Sequence, residues 1–201
     1  YCDPDADGFG VFDLTTANVE IANGLENLVI SYHETEVDAE NNVNAIVNAD
    51  EYNNIVADEQ TVYIRIESSS VATECGTILS MNLIVNDVPQ INTEPSSLSL
   101  CDENADGFGI FDLSTSSEEL LNGLDPNDFT ITYYEAEDDA ENALNAIVTP
   151  YNYTNTTAFN QFVWVRIENN ITACYNVGSI ELIINELPIL TQPSPLNLCD
   201  D

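Results

Sequence analysis

Apolar residues alternate with polar or aromatic ones in two segments that hold corresponding places in the two halves of the chain, Thr61–Glu67 and Phe162–Glu168. Alternation with a period of two is typical of a β-strand that buries one face. Further strands are predicted at Asn27–Thr35, Phe129–Glu135, Thr77–Val85 and Ser179–Ile184. Short strands therefore dominate the predicted structure.

Short helices are predicted between these strands. Leu14–Gly24 has the pattern of a helix with a threonine cap and a glycine stop, and Leu113–Gly123 is its counterpart. An acidic motif at Asp38–Asn41 and again at Asp139–Asn142 opens a second helical or looped segment. The sequence leaves open whether its carboxylates join cation sites or cap helices, and we favour capping for Asp38, Glu40, Asp139 and Glu141.

The elements recur in the same order, so the chain is a tandem array. Each repeat starts at a cysteine, and these cysteines, Cys2, Cys101 and Cys199, lie 99 and 98 residues apart. We predict one repeat over residues 1–95, a second over 96–194 and the start of a third over 195–201. Strands in repeats of roughly a hundred residues indicate an all-β fold. We predict that the chain consists of tandem immunoglobulin-like antiparallel β-sandwich repeats with short helical insertions.

An acidic loop follows the first cysteine of each repeat. Carboxylates recur at alternate positions in Asp3, Asp5 and Asp7, Gly8 permits a sharp turn, and the carbonyl of Phe9 lies where calcium loops add a backbone ligand. The corresponding residues of the second repeat are Asp102, Asn104, Asp106, Gly107 and Phe108. Asn in place of Asp keeps an oxygen ligand, which a calcium site accepts.

The loop differs from an EF-hand because a leucine replaces the bidentate glutamate, and the nearest carboxylates are those of Asp13 and Asp112. We predict that the loops bind Ca²⁺, with Asp13 and Asp112 either as further ligands or as solvent-facing strand residues. The alternative is that Asp-x-Asp-x-Asp-Gly is only an acidic turn, which an acid-rich chain contains easily.

The cysteines are predicted to form disulfides within each repeat, Cys2 with Cys75 and Cys101 with Cys174. In a sandwich the last strand begins at the pole where the first strand starts, and a strand of six residues spans ~20 Å. A disulfide requires Cα atoms within ~7 Å, which disfavours pairing Cys75 with Cys101 and Cys174 with Cys199. Cys199 then pairs with a further repeat. Free thiols of a cytosolic protein are the alternative, and isolated cysteines without histidine disfavour zinc.

The charge balance excludes several functions. The chain has 36 acidic residues against two arginines and no lysine, a net charge of −34. Such a chain is repelled by phosphate backbones and anionic lipids, so we expect neither nucleic-acid binding nor direct membrane insertion. Bound divalent cations would relieve its self-repulsion.

No catalytic centre is expected. The one histidine, His33, corresponds to Tyr134 in the second repeat, so we predict a strand surface residue. The sequence has no nucleophile with its base, phosphate-binding glycine loop or metal site with histidine ligands. The chain is therefore predicted not to be an enzyme.

The pattern Cys-Asp-x-x-x-Asp-Gly-Phe-x-x-Phe-Asp-Leu, followed by Val-Arg-Ile-Glu and a late cysteine, resembles the tandem repeats of giant Bacteroidota surface proteins. Those proteins resemble adhesins exported by the type IX secretion system, including proteins linked to gliding motility. The resemblance spans the whole chain, and the Cys-Asp loop is its most specific part. It implies a stalk or adhesive repeat outside the outer membrane.

Two functions fit these observations. In the first, the repeats form a stalk stiffened by calcium and disulfides, whose partners are the neighbouring repeats of the same chain. In the second, each repeat binds a surface glycan or a sister filament, and the candidate surface carries Tyr63, Arg65, Trp164 and Arg166. We prefer the stalk, because strand aromatics commonly cover their own sheet. Both functions predict an extracellular or cell-surface location.

Overall fold

The computed structural model describes residues 1–69 and 76–193, so Cys75, Cys199 and the predicted start of a third repeat lie outside the described residues. The chain folds into two compact units. The first unit consists of Tyr1–Pro89 together with Thr172–Tyr175, and the second begins with Gln90–Ile171 and resumes at Asn176. The boundary between Pro89 and Gln90 precedes the predicted one between residues 95 and 96.

The first unit is built on a three-stranded antiparallel sheet. The strands of this unit are β1 (Cys2–Asp3), β2 (Val11–Phe12), β3 (Leu28–His33), β4 (Tyr52–Asn53), β5 (Glu59–Ser68), β6 (Gly76–Ile84) and β7 (Asn86–Asp87). The sheet has the order β3-β5-β6, β2 pairs with β4, and β1 lies parallel to β7. A 3₁₀ helix at Leu14–Ala17 continues into α1 (Asn18–Ala22), and α2 (Glu36–Asn41) follows β3.

The second unit repeats this order with a larger sheet. Its strands are β8 (Leu98–Asp102), β9 (Ile110–Phe111), β10 (Phe129–Tyr134), β11 (Tyr153–Thr154), β12 (Asn160–Asn169) and β13 (Tyr175–Glu186). The sheet has the order β10-β12-β13-β8, in which β8 lies parallel to β13, and β9 pairs with β11. Its helices are the 3₁₀ helices Leu113–Ser116 and Pro150–Asn152 with α3 (Ser117–Leu121) and α4 (Glu137–Asn142).

The core of the second unit lies between the sheet and the segments that cross one of its faces. Alternate residues of β12, Val163, Val165 and Ile167, are fully buried. They form one cluster with Phe111 of β9 and Leu113 of the following 3₁₀ helix. The structure confirms the all-β fold and the strands predicted from alternation. In place of a broad second sheet, a two-residue strand pair and short helices cover the core.

The carboxylates of the second acidic motif lie inside α2 and α4 and do not cap them, so the capping role favoured from the sequence is wrong. The Thr35 hydroxyl oxygen accepts a hydrogen bond from the Asp38 backbone N–H at 3.1 Å, which caps α2. The Asp38 carboxylate accepts from the Thr35 hydroxyl at 2.6 Å and from the Asn44 amide at 2.9 Å. These two hydrogen bonds hold the pKa of Asp38 below its ordinary value. Asp139 likewise accepts from Asn145 at 2.8 Å. None of the described helices is long and apolar enough to cross a membrane.

Candidate functional site

The acidic loop of the first repeat winds around the buried carboxylate of Asp3. One Asp3 oxygen accepts the Gly8 backbone N–H at 2.8 Å and the other accepts the Asp5 backbone N–H at 3.2 Å. Gly8 has a φ of 79°, a left-handed conformation that favours glycine, and a Cβ there would lie 2.7 Å from an Asp58 oxygen. The backbone of the loop is therefore fixed by hydrogen bonds to one carboxylate and by one obligatory glycine.

This winding brings three carboxylates of the first repeat together. Oxygen atoms of Asp3, Asp5 and Asp7 all lie within 4.8 Å of one another. Two oxygens that bind one Ca²⁺ at about 2.4 Å can be at most about 4.8 Å apart, so this spacing fits calcium. Burial alone would raise the pKa of Asp3, but hydrogen bonds from Asp5 and the Gly8 N–H outweigh it and lower that pKa. The hydrogen bond with Asp3 and the charge of Asp7 raise the pKa of Asp5.

The loop of the second repeat has the same backbone but a different charge arrangement. Asp102 accepts the Gly107 N–H at 2.8 Å and the Ala105 N–H at 2.7 Å. Burial alone would raise the pKa of Asp102, but these backbone hydrogen bonds outweigh it and lower that pKa. The Asn104 side-chain amide donates to Asp106 at 2.8 Å. The second loop therefore has a neutral amide, bonded to Asp106, where the first loop has the carboxylate of Asp5.

The remaining predicted ligands lie at the edge of the loops. The backbone N–H groups of Phe9 and Phe108 donate to Asp7 and Asp106 at 2.8 and 2.9 Å. Asp13 and Asp112 lie outside the Asp3, Asp5 and Asp7 cluster, and each caps a 3₁₀ helix by accepting a backbone N–H, Thr15 at 2.9 Å or Ser114 at 3.0 Å. A capping role accounts for both carboxylates, whereas calcium coordination by any of these four residues stays a prediction.

We expect the first repeat to bind Ca²⁺ more tightly than the second, because affinity rises with the number of carboxylates. Asp5→Asn should weaken calcium binding about tenfold, and Asn104→Asp should strengthen the second site by a similar factor. Isothermal titration calorimetry of the parent chain and both variants measures this directly. Two equal sites, or no calcium uptake by the parent chain, would contradict the expectation.

A buried asparagine that sequence analysis missed anchors each acidic loop to the rest of its repeat. The Asn54 amide oxygen accepts the Gly10 N–H at 2.6 Å, and its nitrogen donates to Gly8 and Val56 carbonyls at 2.9 and 2.8 Å. Asn155 makes the corresponding three hydrogen bonds in the second repeat. The available signal was the recurring Tyr-x-Asn sequence, in which Tyr52 and Tyr153 are also buried.

Replacing Asn155 with alanine is expected to reduce the free energy of unfolding of the second unit by about 3 kcal/mol, because three backbone groups lose their partner. Urea unfolding followed by circular dichroism measures the change. Asn152→Ala is the matched control, since Asn152 is exposed three residues earlier. Equal stability of the two variants would show that Asn155 does not anchor the loop.

The disulfide of the structure joins the two repeats of the sequence. Cys2 is bonded to Cys174, with Cα atoms 5.4 Å apart, and Cys101 is exposed with a free thiol. The predicted pairs Cys2–Cys75 and Cys101–Cys174 are therefore wrong. The short segment that carries Cys174 belongs to the first unit, although the rest of its repeat forms the second.

The strand direction explains this correction. Cys2 lies opposite Asn86, and Cys101 lies opposite Asn185, because the first strand is parallel to the last strand and pairs with its end. Cys174 precedes the beginning of that last strand, so at ~3.3 Å per residue the extended chain puts it about 35 Å from Asn185. A disulfide spans at most ~7 Å between Cα atoms, so pairing within the repeat is excluded.

A cysteine of one repeat that bonds to the next repeat is the property for which one protein family is named. The model of the Flavobacterium inter-domain disulphide bond domain matches residues 1–89 and again residues 97–188. The chain belongs to this family. Membership indicates a Flavobacterium-type protein, in agreement with the Bacteroidota resemblance. The disulfide between the two copies fits an extracellular domain, since such bonds persist in oxidising compartments.

Other comparisons add little to this assignment. No curated protein matches the chain. The bradyzoite-specific antigen BSR4 from Toxoplasma gondii is 9% identical with a TM-score of 0.21, covering 80% of this chain and 82% of that one. Mouse clustered PcdhgC3 EC1-3 is 9% identical with a TM-score of 0.21, covering 93% and 64%. Endo-fucoidan hydrolase MfFcnA4 from glycoside hydrolase family 107 is 13% identical with a TM-score of 0.20, covering 66% and 19%. Scores this low decide neither fold nor function.

The predicted binding face of this family member is partly occupied by its own helices. Arg65 is buried, and its guanidinium donates to the carbonyls of Ala39 and Glu40 at the end of α2, at 3.0 and 3.1 Å. It also pairs with Glu67 through a 2.5 Å contact. Arg166 is likewise buried and repeats the pattern with the end of α4 and with Glu168. Tyr63 and Trp164, on the same strand faces, are half-buried.

The prediction that His33 is a surface residue is wrong. Its ring is fully buried, with Nδ1 2.8 Å from the Val43 carbonyl oxygen and Nε2 2.9 Å from the Ser31 hydroxyl. Only N–H can donate to a carbonyl, so Nδ1 carries a proton. His33 therefore ties the segment after α2 to β3.

Proposed function

We propose that the chain is a non-catalytic segment of a long bacterial cell-surface adhesin or filament, in which the repeats form a stalk stiffened by disulfides and calcium. The observation that carries this proposal is the bond between Cys2 and Cys174. A crosslink that joins consecutive repeats resists their separation, whereas a crosslink within each repeat would leave the linker as the only covalent connection. A disulfide between consecutive repeats therefore supports a spacer better than an independent binding module.

The same pairing of cysteines can recur between each repeat of an array and the next. Cys101 occupies in the second repeat the place that Cys2 holds in the first, opposite the corresponding asparagine of the last strand. Its exposed thiol is available to the late cysteine of a following repeat. We propose that every repeat is bonded in this way to the next, so that the partners of the chain are neighbouring repeats. Cys75 would then bond to a preceding repeat.

Calcium is proposed as the second stiffening element. The three clustered carboxylates follow Cys2 directly in the sequence, so a bound ion would hold the backbone next to the disulfide. It would also offset part of a net charge of −34. The Asp3 cluster fits this role better than the second loop, in which an Asn104 N–H satisfies Asp106.

Several finer assignments are part of the same proposal. The repeats are proposed to be immunoglobulin-like sandwiches with a reduced second layer, and the protein to be exported by type IX secretion, in keeping with its resemblance to gliding-motility adhesins. Neither nucleic acid nor membrane insertion is proposed for this segment. Binding of a surface glycan or sister filament remains the competing function, although the guanidinium groups of Arg65 and Arg166 already bind helix ends.

Small-angle scattering of the chain with Cys101→Ser and Cys199→Ser tests the stalk. The maximum dimension should be well defined in calcium, and the profile should become that of a flexible chain when chelator and reductant are both present. Chelator alone and reductant alone separate the two contributions. Profiles that coincide under all four conditions would remove the stiffening role, and specific binding on a glycan array would favour the module.

A further inference from the structure

The linker that leads into the second repeat is an integral strand of its fold. Leu98–Asp102 forms β8 and lies parallel to β13, from Leu98 opposite Leu182 to Asp102 opposite Glu186. Earlier in the linker, the Asn92 N–H donates to the Leu120 carbonyl at 2.9 Å, and the Thr93 carbonyl accepts the Ser179 N–H at 3.0 Å. Ile91, Leu98 and Leu100 pack against the core cluster of this unit.

In the first unit the corresponding edge, that of β6 and β7, is almost without a partner strand. Only Cys2–Asp3 pairs there, with Asn86–Asp87. Among residues 1–69 and 76–193, no strand pairs with the edge of β6 that faces away from β5. Ile84 is 51% exposed and Leu79 is 43% exposed. The backbone groups of an edge like this are a template for another strand.

Two partly apolar grooves mark where the missing side chains would pack. One, of about 330 Å³, is lined by Phe12, Leu14, Met81 and Leu83, together with Tyr1, Ile84 and the polar residues Asp13, Thr16 and Asn82. In the second unit the counterparts of the first four residues, Phe111, Leu113, Ile180 and Leu182, belong to the core cluster against which Leu98 packs. The other groove, of about 370 Å³, is lined by Ile21, Ile64, Leu79 and Met81.

The helix beside the second groove shows the effect of the open edge. In the second unit α3 buries Leu120 and Leu121, whereas its counterpart α1 has no buried residue. Ile21 corresponds to Leu120, whose carbonyl is the acceptor for the linker residue Asn92. Ile21 thus stands where the second unit has its acceptor for the linker. Leu79 stands where the second unit has Gly178, at which a Cβ would lie 3.0 Å from Thr93, so a strand docked on β6 must pass farther from the sheet at this point.

We infer that the edge of β6 is a docking site for a parallel strand with the sequence pattern of Gln90–Ser99, supplied immediately ahead of Tyr1. The Tyr1 amino group donates to the Ile84 carbonyl at 2.9 Å, so a chain that enters at Tyr1 already lies on this edge. The ligand is an extended segment. Its isoleucine fills the groove beside α1 that Ile21 and Met81 line, and its leucine fills the groove that Phe12 and Leu83 line. A repeat is then complete only with the linker that precedes it.

The test adds a copy of Gln90–Ser99 before Tyr1 of the full chain and measures hydrogen–deuterium exchange of peptides from β6. We expect exchange in Gly76–Ile84 to slow about tenfold or more, since exchange reports local opening. The matched control carries Ile91→Asp and Leu98→Asp in the added copy only, and should leave exchange at the rate of the parent chain.

Three outcomes would overturn the inference. Exchange that is unchanged by the added segment would show that β6 does not accept it. Equal protection by both extensions would show that the apolar side chains do not direct docking. Protection of β6 in the parent chain that rises with protein concentration would identify a second copy as the occupant. None of these results bears on the Cys2–Cys174 bond, so the stalk proposal is tested separately.

Discussion

Replacing Cys2 and Cys174 together with serine is expected to lower the thermal midpoint of the first unit by about 10 to 20 °C. A disulfide typically contributes about 2 to 4 kcal/mol by restricting the unfolded chain, and the effect grows with the length of the closed loop. Here the sequence separation is 172 residues. Differential scanning calorimetry at one scan rate, under oxidising conditions, measures the shift.

Cys101→Ser is the matched control for this change, because the exposed Cys101 thiol has no disulfide partner. It should leave the midpoint of the parent chain unchanged. A mass-spectrometric map of the non-reduced parent should in turn yield the Cys2–Cys174 peptide. If Cys101→Ser destabilises the chain as much as the double variant, the pairing is not the one that the structure shows.

Arg166→Met is expected to reduce the free energy of unfolding of the second unit by about 3 kcal/mol. The buried guanidinium bonds the carbonyls of Ala140 and Glu141 and pairs with Glu168. Methionine fills similar volume but leaves these groups without their donor. Urea unfolding measures the loss. The expected cost is large because Arg166 is one of only two basic side chains among 36 acidic ones.

Two further variants separate the parts of this interaction. Arg166→Lys keeps the charge but loses the forked donor, so its stability should lie between those of the parent and Arg166→Met. Glu168→Gln should cost less than about 1 kcal/mol, since the Glu168 side chain is 35% exposed. An Arg166→Met protein as stable as the parent would mean that the guanidinium is not needed for folding, which would favour a ligand-binding role.

The strands were predictable because each has one buried face, and a buried face leaves a period of two in the sequence. The short helix at Glu36–Asn41 was predicted only in part, because the acidic motif was placed at the opening of the segment, whereas the helix begins at Glu36 after the Thr35 cap. The burial of His33 and Arg65 was not predictable, because both lie on the outer face of the sheet, which α2 and the following segment cover. Alternation identifies the two faces of a strand but not what lies on the second one.

The disulfide could not be predicted from spacing. Its partner depends on which end of the last strand adjoins the first strand, and that direction becomes visible only in the register of Cys101 with Asn185. The acidic loop, in contrast, was predictable in part. Asp3, Asp5 and Asp7 do come together, while Asp13 caps a helix. An Asp near the start of a helix can be either a calcium ligand or a helix cap, and only the three-dimensional arrangement distinguishes the two roles.

The bond between Cys2 and Cys174 also determines how the chain would respond to a pulling force. Tension applied at the two ends of the sequence passes from Cys2 to Cys174 through the sulfur atoms, so the residues between them carry no load. Their sheets can lose hydrogen bonds without letting the ends move apart. Only the segment after Cys174 can lengthen, by at most about 3.5 Å per residue. Oxidation thus makes most of this polypeptide inextensible, and reduction restores its full contour length.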